Sequence, residues 1–281
     1  MTAFLEKVYS FTCCFIYNHK CFIQVNKLFL KLKRLLIKVL GIDLYLKVVS
    51  KIYFRLYHFH LLWLFGNTFQ EIKYLQNTVK NGWHCIDIGA NLGYVTIPLS
   101  HLCGSDGNVI AVEPVKAFVE LLSTYVKKHG EGNVKILNYA LGKNDNEKII
   151  MGTPVIHGIQ RHGFTKVVDS SSEFPYGSTY EVQMRNPMSL FKDIQQLDFL
   201  KCDVEGYEVF IIPEMKDLLV KFKPMILIEF GTDESRKTLP KFFDEIGYNA
   251  YFVEGEKLKP ITYDDLITFP TNNFILLPKT H

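Results

Sequence analysis

Two carboxylates spaced two residues apart, Asp203 and Glu205 in Leu200-Lys201-Cys202-Asp203-Val204-Glu205-Gly206, are residues able to manage a proton. At the tip of an apolar strand, such acids favour a cation held nearby and can accept the proton of an attacking hydroxyl. His162 is another candidate for the same task, because an unperturbed imidazole titrates at about 6.5, near working pH. Upstream lies a different pattern, Asp87, Gly89, Asn91 and Gly93 at every second position. Glycine takes positive φ freely, asparagine is the next most permissive residue, and neither blocks a ligand from the backbone. Glu113 follows Gly93 by 20 residues, the separation at which an acid on the next strand tip reaches both hydroxyls of a ribose. Blander readings exist for each: a strand-to-helix turn for the glycines, a helix-start acid for Asp203 and Glu205, a surface histidine for His162. The turn alone does not call for Glu113.

The elements that must position these residues alternate in period. Trp83 to Ile86 is a short, mostly apolar run that ends at Asp87, as a buried parallel strand does. Tyr94 to Leu102 predicts a helix whose free N–H groups and positive dipole end face the glycine turn. Asn108 to Val112 predicts a second strand ending at Glu113, and Val115 to His129 a helix with Phe118, Leu121, Leu122 and Tyr125 on one face. Strands are further expected at 133–137, ending in Asn138-Tyr139-Ala140, and at 197–202, 225–230, 250–253 and 273–277. Seven strands interleaved with helices predict an α/β fold, a mostly parallel sheet with helices on both faces. The turn also selects among nucleotides. A pyrophosphate needs GxGxxG, but Asn91 stands where the middle glycine would be and no glycine lies three residues after Gly93. An adenosyl cofactor without phosphates, such as S-adenosylmethionine, fits this turn better.

Taken in order, DIGANLGYVTIPLS, VIAVEPVKAFVELL, VKILNYALG, LDFLKCDVEGYE and ILIEF resemble the FkbM family of S-adenosylmethionine-dependent methyltransferases over about Asn81 to Phe230. The resemblance implies a Rossmann-like class I methyltransferase fold closing with an antiparallel hairpin. It also implies that the stretch at Asn138 and Ala140 runs beneath the adenine. Acceptors in this family are often hydroxyls of sugars, glycolipids and secondary metabolites, so a small-molecule or glycan acceptor is expected. Asp87, Gly89, Asn91 and Gly93 would then hold the methionyl part, Glu113 the ribose, and Asp203, Glu205 or His162 the proton, with Asp203 also beside the cofactor. Two other functions fit parts of the pattern: a nicotinamide-dependent oxidoreductase sharing the sheet and Glu113, and a non-catalytic protein that uses its basic leader to bind a membrane or partner.

A chain of 281 residues with 48% hydrophobic content can bury one sizeable α/β core plus additions. Residues 1–66 are expected as a basic, amphipathic helical extension and 67–281 as the catalytic domain, with a glycine-rich inserted hairpin at about 143–187 over the pocket. The net charge of +3 hides an asymmetry: residues 1–80 hold ten lysines and two arginines against Glu6, Asp43 and Glu71. Lys27, Lys31, Arg34 and Lys38, then Lys47, Lys51 and Arg55, recur at helical spacing. These helices are expected to pack on the catalytic domain or a second subunit, making a homo-oligomer, or to contact a membrane surface peripherally. No run of 18 uncharged apolar residues predicts a spanning helix, and no nucleic-acid partner is expected. The six cysteines lack disulfide or CxxC spacing, so a reducing, cytoplasmic setting follows. Asp203, Glu205 and Glu229 offer oxygen ligands, but with Glu229 alone at the fifth strand tip no metal is expected.

Overall fold

The computed structural model describes residues 19–62, 70–156, 158–168 and 175–279. The chain divides into two compact units, residues 1–69 and 70–281. In the first, one helical run, His19–His58, is interrupted at Gly41, whose φ of 72° and ψ of 163° leave helical space. No helix among the described residues is long and apolar enough to cross a membrane.

The second unit is built on eight paired strands. In chain order its strands are β1 (His84–Ile88), β2 (Asn108–Val112), β3 (Val134–Leu137), β4 (Ala140–Leu141), β5 (Glu147–Ile156), β6 (Ile159–Gln160), β7 (Lys166–Val167), β8 (Tyr176–Arg185), β9 (Phe199–Cys202), β10 (Met225–Glu229), β11 (Tyr248–Glu254), β12 (Lys257–Ile261) and β13 (Asn273–Pro278). The main sheet runs β12-β11-β13-β10-β9-β1-β2-β3. Pairing is parallel from β3 through β10 and antiparallel at β13, β11 and β12. All seven expected strands are present. The eighth, β12, is the edge partner of β11; its Lys257, Lys259 and Pro260 give no apolar run to read, because an edge strand faces water.

Alternation along each strand sorts the core into two layers. Ile86, Ile88, Val112, Leu200, Cys202, Ile226 and Ile228 pack with Phe191, Ile211, Leu218, Leu219, Leu239 and Phe243 from helices on one face. Cys85, Val109, Phe199, Leu227 and Ile275 pack on the other with Leu75, Leu99 and Cys103. Leu122 of the helix Lys116–His129 covers Ala90 and Ala111. The sheet is therefore apolar on both faces and covered on both, as a parallel sheet requires. Its order reverses between β1 and β9, and ligands bind at that switch, outside the carboxyl ends of the strands.

Residues 140–185 form a second, five-stranded sheet, mainly the long antiparallel pair β5 and β8 with a bulge at Thr153 and Pro154. Its own small core is Ala140, Met151, Val182 and Met184. The end of β10 is fixed by Arg236, which donates to the carbonyls of Phe230, Leu266, Ile267, Phe269 and Thr271 and to Asn272 Oδ1. One planar guanidinium satisfies a whole loop of backbone acceptors, a geometry that a lysine's point charge does not reproduce. Arg236→Lys is expected to cost about 2–3 kcal/mol in urea unfolding; a loss under about 0.5 kcal/mol would mean that water satisfies those carbonyls equally well.

Candidate active site

The site begins with a charge inside the sheet. β1 and β9 pair in parallel with Asp87 opposite Lys201. Lys201 Nζ lies 3.4 Å from Asp87 Oδ1 and 3.4 Å from Asp203 Oδ2, and donates to the Gly89 carbonyl at 3.1 Å. Thr96 Oγ1 donates to the other Asp87 oxygen at 2.6 Å. The side chains of Lys201 and Asp87 are only 7% and 0% exposed, so neither charge has bulk water to fall back on. Burial by itself would lower the Lys201 pKa, but the fields of Asp203 and Asp87 outweigh it and hold the ammonium above the ordinary lysine value.

The turn after β1 is left-handed at Gly89 (φ 77°), Asn91 (φ 50°) and Gly93 (φ 88°). A Cβ on Gly89 would overlap the Asp203 carbonyl oxygen, and one on Gly93 would come within 2.7 Å of Leu122 Cδ1. Each glycine thus permits a close approach of protein, β9's tip in one case and a helix in the other. Glu113, 4% exposed, accepts from the Asn91 N–H at 2.9 Å and the Val115 N–H at 2.9 Å, which locks the second strand tip to the turn. Burial pushes its carboxyl up to about 7 against the pull of those N–H groups and of Lys201.

Beyond β9 the backbone turns sharply. Asp203 and Glu205 do not continue the strand, because Glu205 takes φ 57° and Gly206 φ 100°. A non-glycine residue in that region carries roughly 1–2 kcal/mol of strain, which persists where the surroundings hold it. Glu205 is pushed up to about 9, first by burial and then by the negative charges of Glu229, Asp203 and Glu208. Burial and the same crowding raise Glu208 and Glu229 to about 7. Asp203, Glu205 and Glu229 each offer an oxygen within 4.8 Å of the others, a donor set suited to a hard divalent cation as well as to protons.

These groups surround a cavity of about 230 Å³ lined by Gly89, Asn91, Glu113, Lys201, Asp203, Glu205 and, on the side of the second sheet, Phe118, Met151, His162 and Thr165. The His162 ring stands edge-on to Phe118 at 6.2 Å. Asn91 Oδ1 is buried without a hydrogen-bond partner, an acceptor ready for a donor on a ligand. Such a wall, with acceptors and no phosphate cradle, fits the ammonium and ribose hydroxyls of S-adenosylmethionine. A smaller cavity of about 30 Å³ shares Gly89, Pro114, Met151 and Val204 and adds Tyr139, Ala140 and Tyr207. A more open groove of about 900 Å³ lies beside β11 and β12 and contains none of these residues.

Of the expected site residues, Gly89, Asn91, Glu113, Asp203, Glu205 and His162 converge on one cavity, with Asp87 directly behind Lys201 and Ala140 in the adjoining space. Gly93 and Asn138 line neither. Gly93 faces Leu122, and the Asn138 amide donates to the Glu113 and Pro114 carbonyls at 2.9 and 2.8 Å, so it braces a strand tip. Lys201 joins the site from outside the expected set, and its signal in the sequence is a lysine inside the apolar run Phe199-Leu200-Lys201-Cys202, where a charge must be buried and paired.

The model of the family described as "Methyltransferase FkbM domain" matches residues 87–250. A curated protein-L-isoaspartate O-methyltransferase of Caenorhabditis elegans is 32% identical over 71 residues, 24% of this chain and 32% of that protein. The chain thus spans about a third of the length of that curated relative. Among solved structures, the methyltransferase FkbM of Methylobacillus flagellatus is similar at 13% identity and TM-score 0.45, covering 69% of this chain and 43% of that one. An S-adenosylmethionine-dependent O-methyltransferase of Thermotoga maritima is similar at 18% identity and TM-score 0.42, over 75% of this chain and 65% of that one.

Two outcomes are expected. Lys201→Met leaves Asp87 buried and unpaired and should lower unfolding free energy by about 3–5 kcal/mol; a loss below about 1 kcal/mol in denaturant titration would show that the pair is not needed. Glu113, Glu208, Glu229 and Glu205 all stand above the ordinary carboxyl value of 4.5 in the folded state. The stability that they give is complete below that value and is lost as pH rises through 7 toward 9. Calorimetry should therefore find Tm falling by several degrees from about pH 5 to about pH 9, less so in Glu205→Gln; a rising Tm would contradict the assignment.

Proposed function

Because the chain belongs to the FkbM methyltransferase family, we propose that it transfers a methyl group from S-adenosylmethionine to a hydroxyl oxygen of a sugar, glycolipid or secondary metabolite. The observation that carries this reading is the meeting of the glycine turn of β1 with the acidic tip of β9 in one cavity. Family membership selects methyl transfer over hydride transfer, the other chemistry that the strand and turn pattern allows.

Bound S-adenosylmethionine supplies an electrophilic methyl on a sulfonium. Asn91 and Gly89 hold the methionyl part, with Asp87 fixing the turn from behind through Lys201 and Thr96. Glu113 takes the ribose hydroxyls through the lone pairs left after its two backbone bonds. Ala140 and its neighbours form the apolar slot for the base. At neutral pH Glu205, pushed up to about 9, keeps its proton and donates a hydrogen bond toward the acceptor. Asp203, held by Lys201, takes the proton that the attacking hydroxyl loses. His162, Phe118 and Met151 close the cavity from above, where they orient the acceptor and exclude water. A carboxylate-rich rim beside an aromatic ring suits an acceptor carrying several hydroxyls.

Asp203→Asn is expected to lower kcat/KM by about 100-fold or more while calorimetry still detects S-adenosylhomocysteine. Normal turnover in that variant would remove Asp203 from the proton transfer. Glu113→Ala should weaken S-adenosylhomocysteine binding by about 1–2 kcal/mol, or roughly 5- to 30-fold in Kd. Unchanged affinity would refute the ribose assignment. The acceptor itself is sought by radiolabelled methyl transfer to panels of sugars and lipid-linked glycans.

A further inference from the structure

Seven of the eleven large hydrophobic side chains that are exposed among the described residues fall within a single stretch, 35–59. Scattered exposed apolar residues are ordinary, but a concentration of this kind marks an interaction surface. Val39 is 71% exposed and Phe59 65%. The polar complement is one-sided as well. Among the described side chains from 35 to 60, every exposed one is aliphatic, aromatic or basic, histidine included; none is acidic, amide or hydroxyl. The helix after the Gly41 break shows the pattern in register. Leu44, Val48 and Ile52 form one exposed row at four-residue spacing, and Lys47, Lys51 and Arg55 form the exposed row beside it. Leu46, Ser50, Tyr53 and Tyr57 are buried on the opposite side.

From this face we infer that the helix after Gly41 docks in the headgroup region of an anionic lipid bilayer, lying in its plane. Residues 42–58 would cover about 25 Å along the surface. The aliphatic row sinks to the acyl boundary, while the long basic side chains keep their stems apolar and lift their charges to lipid phosphates. Charge complementarity selects this occupant: between residues 35 and 60 Lys38, Lys47, Lys51 and Arg55 stand against one acid, Asp43, and this excess of positive charge attracts an anionic surface and repels the same stretch on a second copy of the chain. Spanning is excluded by the helix's own length and polarity. The inference does not depend on the methyl-transfer reading, since none of these residues belongs to the cavity.

The test is co-sedimentation of the full chain with phosphatidylcholine vesicles, with and without phosphatidylglycerol. Pelleting should require the anionic lipid and weaken with salt. Lys47→Glu/Lys51→Glu/Arg55→Glu and Leu44→Ser/Val48→Ser/Ile52→Ser should each reduce vesicle affinity by about tenfold or more. Both variants alter exposed positions, and unchanged Tm and S-adenosylhomocysteine affinity verify that they remain folded. No pelleting with anionic vesicles, pelleting unaffected by either variant, or a dimer in sedimentation velocity that these substitutions dissolve would each overturn the proposal.

Discussion

A lysine ammonium buried between two carboxylates is the constraint on which the crevice depends. Charges leave water for a sheet interior only when paired and hydrogen-bonded. Here the parallel register of β1 and β9 places Asp87 opposite Lys201, so the pair forms as the strands zip together. The Gly89 carbonyl and the Thr96 hydroxyl complete the shell. Asp203 shares the same cation, so the acid at the cavity is tethered to strand pairing and not to a free loop. The fit is tight enough that only glycine at position 89 lets the β9 carbonyl pass.

That single cation faces more acid than it can neutralise. Asp203, Glu205, Glu208 and Glu229 repel one another across the tips of β9 and β10, and burial screens the three glutamates from water. The result is a group of carboxyls whose protonation is set by what enters beside them. A hydroxyl donor or a cation arriving at this rim relieves the repulsion, which amounts to recognition by electrostatics. The left-handed backbone at Glu205 is consistent with this: strain of that kind persists where the surroundings over-determine a side chain's direction.

Local chemistry was legible in the sequence, and contacts between distant segments were not. Asp87 and Glu113 could be placed because each ends an apolar run, and their strands lie as expected. The residue type of Gly89 suggests room for a ligand, yet the backbone it admits belongs to Asp203, 114 positions away. Asn138 has the residue type of a base partner, but its amide closes on the carbonyls of Glu113 and Pro114, an arrangement set by the pairing of β2 and β3. Glu229 stands alone in its own segment of sequence because the acids near it come from the neighbouring strand tip. The edge strand β12 lacked any apolar signature, as its exposure demands.

The second sheet explains how one cavity can have a fixed chemical floor and a separately adjustable wall. Met151 belongs to the small core with Ala140, Val182 and Met184, and it also lines both cavities. Thr153 and Thr165 hydrogen-bond at 2.8 Å, which ties the turn bearing His162 to β5. Phe118, from the main-sheet helix, contacts both His162 and Tyr180 across the junction. The wall opposite Asp203 is therefore held by the hairpin's own packing together with Phe118, and Met151, His162 and Thr165 are not among the groups bonded to Lys201. Substitutions on β5 or β8 can reshape this wall while the pairing that positions Asp87, Glu113 and Asp203 stays intact, so the wall and the charged floor are physically separable in this fold.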